Sequence, residues 1–291
     1  MIASISDLTI VVPVRNEERN LNVCLDAIGH DLARRVVVID SSSIDKTSDI
    51  ARFHGAELIN FEWDGHFPKK RNWFLQTHTP ETQWILFLDA DEILNPEVKS
   101  EISQALLDSP HQGFLLSYTN YFMGRRLVGG YPLRKLALFR VGQVEYERIN
   151  ETRWSHLDME VHEHPVVTGS VGLIRSRIDH RDLRGIDSYM RKHNEYAAWE
   201  AQRLFSYRHQ SGATSQSFVW KPHQRLKYRL LTSPWGGLAF FLGSFIMLGG
   251  WRDGSIGFAF CLLKAGYFTQ IACRLREMEA NHSIACSSTD L

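Results

Sequence analysis

The chain alternates between two kinds of hydrophobic pattern. Residues 8–14 form a strand-length stretch that is apolar but for Thr9, as in a strand buried on both faces, and residues 17–28 carry Leu21, Cys24, Leu25 and Ile28 at helical spacing. Residues 35–40 repeat the short Val/Ile run, and Asp45 or Thr47 is placed to cap a helix that reaches Phe53 and His54. A third strand is predicted over 57–63, a helix over 69–77, a fourth strand over 84–88, and a helix over 96–107 whose leading Pro96 suits a first helical turn. Four strand-then-helix repeats within the first 110 residues predict an α/β fold with a doubly wound, mostly parallel sheet.

Beyond Pro110 the texture changes. Residues 113–121 and 136–141 read as strands and 187–207 as an aromatic-rich helix, which together predict a mixed α+β extension. No acidic residue occurs over 203–229, where Arg203, Arg208, Lys221, Arg225, Lys227 and Arg229 stand, and residues 230–251 then carry no charge at all. A basic segment followed by an apolar one is the order of a membrane-facing region. Pro234 and five further interruptions at Gly236, Gly237, Gly243, Gly249 and Gly250 favour a re-entrant or interfacial helical pair over a span. Residues from Glu279 onward are polar and small and read as disordered. The expected division is a catalytic domain over 1–215 (a nucleotide-binding half to 110 and an acceptor half from 111), a membrane-associating helical region over 216–278, and a tail over 279–291.

The 291 residues contain 33 Lys and Arg against 33 Asp and Glu, so no basic field points to nucleic acid. The four cysteines are widely spaced without a Cys-x-x-Cys pair, which argues against a disulfide framework or zinc knuckle and fits a reducing cytosol. The N-terminal apolar run is strand-length and meets Pro13 and Arg15, unlike an export signal, so the expected location is the cytoplasmic side.

Candidate chemistry lies where strands end. The fourth apolar run delivers Asp89 and Asp91 in Asp-Ala-Asp-Glu, and ligands of open α/β sheets sit beyond the carboxyl ends of strands. Oxygen donors of this kind suit Mg²⁺ or Mn²⁺ shared with a substrate's phosphates. The competing reading is a solvated turn that caps the next helix. Pro13-Val-Arg-Asn16 ends the first strand, and Asp40 with Ser41 to Ser43 and Asp45 ends the second. These groups suit a nucleoside, with Asp40 able to accept a uracil-type N–H, or equally an ordinary Asx or Ser turn. Lys69-Lys-Arg-Asn72 is a compact basic cluster in which Arg71 could meet phosphate bidentately.

Taken together these motifs, in this order, resemble glycosyltransferase family 2, the inverting GT-A transferases that use a nucleotide-diphosphate sugar. The likeness covers about the first 165 residues. Gly129-Gly-Tyr-Pro-Leu-Arg-Lys, Val161-His-Glu163 and Gly250-Trp-Arg-Asp-Gly-Ser-Ile-Gly-Phe258 resemble a bacterial branch that includes lipopolysaccharide core β-glucosyltransferase-like proteins. The resemblance implies that Pro13, Asn16 and Asp40 bind the nucleoside, Arg71 the diphosphate, and Asp89 with Asp91 the ribose and a Mg²⁺ or Mn²⁺ ion. It also implies transfer of a hexose, with UDP as carrier, to a glycan or glycolipid acceptor at the inner face of the cell membrane.

Single-step inversion requires a base opposite the leaving diphosphate. Glu163 in Glu-Val-His-Glu-His is the candidate, with Asp158 and Glu160 as alternatives, and His162, His164 and Arg134 could meet acceptor polar groups. Tyr131 and Trp154 could stack on sugar faces or simply be core. Three other readings stay in play. His156, His162 and His164 could ligate zinc with Glu163 as base, although spacing specifies no third ligand. A nucleotidyltransferase would want a glycine-rich loop where Pro13-Val-Arg-Asn stands. A catalytically silent membrane-bound scaffold has no need of Asp89, Asp91 and Glu163.

Overall fold

Along β1 (Ser6–Val14) the even-numbered Leu8, Ile10, Val12 and Val14 enter one core and Val11 enters another, so the strand is apolar at successive positions rather than alternating. β2 (Ala33–Asp40) does the same, with Val38 opposed to Val37 and Ile39. In β4 (Trp84–Phe87), Trp84 and Leu86 oppose Ile85 and Phe87. The first core is closed by α1 (Leu21–Ile28) and α4 (Pro96–Leu106), which contribute Leu21, Cys24, Leu25 and Ile28, and Val98, Ile102 and Leu106. Ala51 of α2 (Thr47–Phe53) joins them, and Phe74 of α3 (Lys70–Thr77) lies in the second core. Helices on both faces of the sheet give the doubly wound arrangement that the sequence predicts.

This computed structural model describes residues 6–148, 158–159, 163–209, 232–233 and 235–289. Its main sheet runs β3 (Glu57–Asn60), β2, β1, β4, β8 (Arg134–Arg140), β6 (Gly113–Phe122), β11 (Val171–His180), β5 (Glu92–Ile93), with β7 (Arg125–Arg126) attached to β6. The β3-β2-β1-β4 half is parallel, whereas β8 is antiparallel to both β4 and β6. β9 (Val144–Tyr146) and β10 (Pro165–Val167) form a separate antiparallel pair. Val14 pairs with Asp40 and Val11 with Phe87, so the carboxyl ends of β1, β2 and β4 open onto one edge. The mixed extension begins at β6, as the change of texture at Pro110 predicts.

The sequence reading missed β11. Its Ile174 and Ile178 are buried while Val171, Leu173, Arg175 and Arg177 face outward. A strand of that kind lacks the long apolar run that marks β1. The reading of Asp-Ala-Asp-Glu as a helix cap is replaced, because Asn95 caps α4 by accepting the Val98 N–H at 3.0 Å, with Pro96 at the first turn.

The chain divides into two compact units, Met1–Arg126 with Pro132–Thr152 and His156–Arg184, and Leu127–Tyr131 with Arg153–Ser155 and Gly185–Leu291. The division expected at 215 does not coincide with this one, because α5 (Ile186–His209) belongs to the second unit. The reason is its packing. Ala197, Ala201 and Leu204 bury against Ile271 and Leu275 of the C-terminal helix. α6 (Gly236–Leu242) continues into a π turn (Gly243–Met247) and a 3₁₀ turn (Gly250–Asp253), then α7 (Gly254–Thr289). The tail expected to be disordered from Glu279 is thus helical to Thr289. Glu277, Met278, Glu279 and Ala280 are good helix formers, and Arg208 on α5 pairs with Glu279.

The two late motifs meet in this second unit. The Asp253 carboxylate accepts the N–H groups of Val128 and Gly129 at 2.8 and 2.9 Å, and Gly130 N–H donates to the Leu248 carbonyl at 3.0 Å. A Cβ on Gly129 would lie 2.0 Å from the Gly249 carbonyl oxygen, so only glycine fits. Gly129→Ala is expected to cost about 1–3 kcal/mol or more, because backbone rather than a flexible side chain must yield. A urea midpoint unchanged from wild type would refute this account of the contact.

Candidate active site

The edge where β1 and β2 end is tied together by their own loops. Asn16 adopts a left-handed φ of 55°, which asparagine tolerates better than most residues. Its N–H donates to Ser43 Oγ at 2.8 Å and its Oδ1 accepts the Ile44 N–H at 3.0 Å. Asp40 is buried, and its Oδ1 accepts from the Ser43 N–H at 3.1 Å and the Ser43 hydroxyl at 2.5 Å, while Oδ2 accepts from Ser48 Oγ at 2.7 Å. Pro13 and Val14 close β1, and Lys70 Nζ donates to the Val14 carbonyl at 2.9 Å. Burial lowers the pKa of Lys70, and the Asp158 carboxylate at 3.2 Å opposes that shift.

The first turn of α3 points Arg71 at the end of β4. Arg71 Nη2 donates to Asp89 Oδ1 at 2.6 Å, and its guanidinium lies 5.5 Å from the Tyr146 ring centre and 5.9 Å from that of Phe87. Asn72 fastens this turn to β9 by donating to the Tyr146 carbonyl at 3.0 Å and accepting the Tyr146 N–H at 2.9 Å. Lys135 Nζ, from β8, donates to Asp89 Oδ2 at 2.8 Å and to Glu92 Oε1 at 2.5 Å. Burial alone would raise the pKa of Asp89, but Lys135 and then Arg71 hold it well below the usual carboxylate range. Burial pushes buried Glu92 up to about 7 against the opposing pull of Lys135.

Asp91 has different neighbours. His180 Nε2, at the end of β11, lies 3.4 Å from Asp91 Oδ1, and Arg184 Nη2 lies 3.8 Å from Oδ2. Burial disfavours a charged His180, but Asp91 outweighs it and raises the imidazole's pKa. Arg184 also donates to Glu17 Oε1 at 2.7 Å and, through Nε and Nη2, to Asp182 at 2.8 and 2.9 Å. One carboxylate and one imidazole fit a hard divalent ion that draws its remaining ligands from substrate phosphate and water. Both oxygens of Asp89 are held by cations at 2.6 and 2.8 Å, closer than the 3.4 and 3.8 Å contacts of Asp91, so this donor set centres on Asp91. Among the described residues no group of three or more His, Cys, Asp or Glu side chains could hold a metal ion.

Glu163 is buried and accepts from Lys69 Nζ at 2.7 Å, with the lysine equally buried. Arg134 is exposed at the start of β8, and His164 is exposed just before β10. His156, His162, Glu160 and Trp154 lie outside the described residues. Tyr131 packs within the second unit, its ring centre 5.9 Å from that of Phe240.

The model of glycosyl transferase family 2 matches residues 9–167, more than half of the chain. The chain belongs to that family. Within this family 2 protein the match takes in Pro13, Asn16, Asp40, Arg71, Asp89, Asp91 and Glu163. Among curated relatives, the chain is 32% identical over 99 residues to the SPbeta prophage-derived glycosyltransferase SunS of Bacillus subtilis, covering 33% of this chain and 23% of that one. It is 31% identical over 153 residues to the 4,4'-diaponeurosporenoate glycosyltransferase of Staphylococcus aureus, covering 50% of this chain and 40% of that one. The matched stretch thus spans about a quarter to two fifths of these relatives. Among solved structures, it is similar to the glucosyl-3-phosphoglycerate synthase of Mycobacterium tuberculosis in complex with Mn²⁺, uridine diphosphate and glucosyl-3-phosphoglycerate. That likeness has 22% identity and a TM-score of 0.32, covering 40% of this chain and 44% of that one.

Sequence reasoning overlooked His180 and Arg184, and gave no role to Lys135 and Glu92, which stand within its motifs. A signal for His180 was present: it continues the inward-facing register of Ile174 and Ile178, as a polar group following a buried face. Lys135 stood beside Arg134, the residue singled out, but only the pairing of β8 with β4 brings it to Asp89.

Proposed function

We propose that this family 2 protein transfers a hexose, with inversion, from a nucleotide-diphosphate sugar to a hydroxyl of a lipopolysaccharide-type or lipid-linked acceptor. UDP is the carrier we infer. One observation carries the reading: Asp89 and Asp91, at the end of β4, stand among three cations, Arg71, Lys135 and Arg184, and the His180 imidazole, drawn from three separate segments. Opposite charges gathered beyond strand ends suit a diphosphate ester.

In this reading Pro13, Asn16 and Asp40 border the nucleoside, Asp89 the ribose, and Arg71 the diphosphate. Asp91 with His180 would hold Mg²⁺ or Mn²⁺. That ion, when bound, supplies charge neutralisation to the departing diphosphate. Arg71 and Lys135 add positive charge to the same leaving group, and Glu163 takes the proton of the attacking hydroxyl, oriented by Lys69. Arg134, His162 and His164 would meet the acceptor. Work on a lipid-linked acceptor places the protein at the inner face of the cytoplasmic membrane, with the second unit against the surface.

The test is thermal unfolding with nucleotide sugars in the presence and absence of Mg²⁺ or Mn²⁺. A ligand at 100 times its Kd stabilises by about 2.7 kcal/mol, an easily read rise in Tm. UDP-sugars should raise Tm only with the metal present. If no nucleotide sugar protects under any metal condition, the proposal fails.

A further inference from the structure

We infer that the tip of the helical hairpin formed by α6, the π turn and the start of α7 is a lipid-inserting surface for anionic bilayers. The inference rests on the membrane location proposed above. Nine of the 23 exposed large apolar side chains among the described residues fall between Trp235 and Leu262. Trp235, Leu238, Leu242 and Ile246 follow one another at spacings of three and four, a single helical stripe, and are 71, 54, 45 and 59% exposed. Met247 and Trp251 extend it around the turn, at 85 and 60% exposed. The hairpin is well formed. Phe241, Phe245 and Phe258, the last itself half exposed, pack with ring centres 5.4–5.6 Å apart, so the exposure belongs to an ordered element.

Three observations choose a bilayer as the occupant. First, a tryptophan stands at each end of the apolar stripe, the placement that suits a headgroup boundary. Second, the charge is complementary to anionic lipid: Arg252 follows the stripe, and in sequence the four cations Lys221, Arg225, Lys227 and Arg229 precede it with no acid among them. Third, the carboxylate next to Arg252, Asp253, turns to the Val128 and Gly129 amides.

The depth follows from length. Residues 236–247 rise about 18 Å as a helix, well short of the roughly 30 Å hydrocarbon core. The following helix, over Gly250–Ile284, is long and apolar enough to cross by length and composition. Its Ile271 and Leu275, however, pack on α5, which carries Glu200 and Arg203 in the same helix as the contacting Ala197, Ala201 and Leu204. Crossing would draw those charges into hydrocarbon. The hairpin therefore enters one leaflet with its tip.

The experiment uses the full chain and sedimentable vesicles of phosphatidylglycerol and phosphatidylethanolamine. Wild type should pellet with vesicles, with a blue-shifted tryptophan emission, and M247D together with W251S should lower the partition coefficient by about tenfold or more. UDP-sugar protection against unfolding, measured on the same samples without lipid, should be unchanged. Vesicle binding equal to wild type in the double variant overturns the inference. So does a wild-type dimer, found by sedimentation velocity without lipid, that the double variant abolishes, since the stripe would then cover a second copy. Loss of UDP-sugar protection in wild type would instead sink the proposed function and leave vesicle binding to be read on its own.

Discussion

Asp91→Asn is expected to abolish metal-dependent transfer while the protein still folds. Asparagine keeps the shape, and the main-chain carbonyl of residue 91 still accepts the Arg181 N–H at 2.7 Å. What disappears is the negative charge facing His180 at 3.4 Å and Arg184 at 3.8 Å. Without it the site presents a lone imidazole beside an arginine, a poor partner for Mg²⁺ or Mn²⁺. Metal stabilisation of a leaving group is worth several kcal/mol, and each 1.36 kcal/mol is tenfold, so the loss in kcat should be about 10³-fold. Mn²⁺ titration of UDP release checks it. A variant with the wild-type rate and metal dependence would remove Asp91 from the site.

Glu163→Gln is expected to lower kcat by roughly 10²–10⁴-fold with donor binding little changed. The amide retains an oxygen for Lys69 but cannot take a proton. The buried pair with Lys69, at 2.7 Å, makes a structural role the rival explanation. Breaking a buried pair would cost stability, about 3–5 kcal/mol where the partner charge is stranded. The readouts separate the two. A base lost from the mechanism removes the carboxylate limb of the pH–rate profile at unchanged KM for donor, whereas a structural fault appears in urea unfolding with the limb intact. A near-wild-type kcat in the folded variant removes Glu163 from the chemistry.

The parallel half of the sheet was legible because its strands are buried on both faces, which makes β1, β2 and β4 stand out as apolar runs. Their ends were legible for the same reason: a carboxylate that interrupts such a run, Asp40 or Asp89, sits at a boundary. What stayed hidden depended on pairing across distance. β11 alternates and carries outward-facing arginines, so His180 could not be assigned to the neighbourhood of Asp91, 89 residues earlier. Lys135 reaches Asp89 only because β8 runs antiparallel beside β4. The boundary near residue 185 was hidden as well, since α5 has a helical pattern whichever unit it joins and only its contacts with Ile271 and Leu275 decide. The motif over 250–258 was recognisable as a pattern, but its work, holding two amides of the 127–131 loop through Asp253, emerges only in three dimensions.

The ion pairing at the end of β4 has a kinetic side. Arg71 and Lys135 are matched by Asp89 and Glu92, and His180 and Arg184 by Asp91, Glu17 and Asp182. A polyanion approaching from solution meets cations that carboxylates already pair, which weakens the field that would steer it from beyond a Debye length of roughly 8 Å. Entry of a diphosphate is then an exchange of partners at short range. Encounter rates should respond weakly to added salt, and discrimination falls to shape and the order in which the resident carboxylates let go.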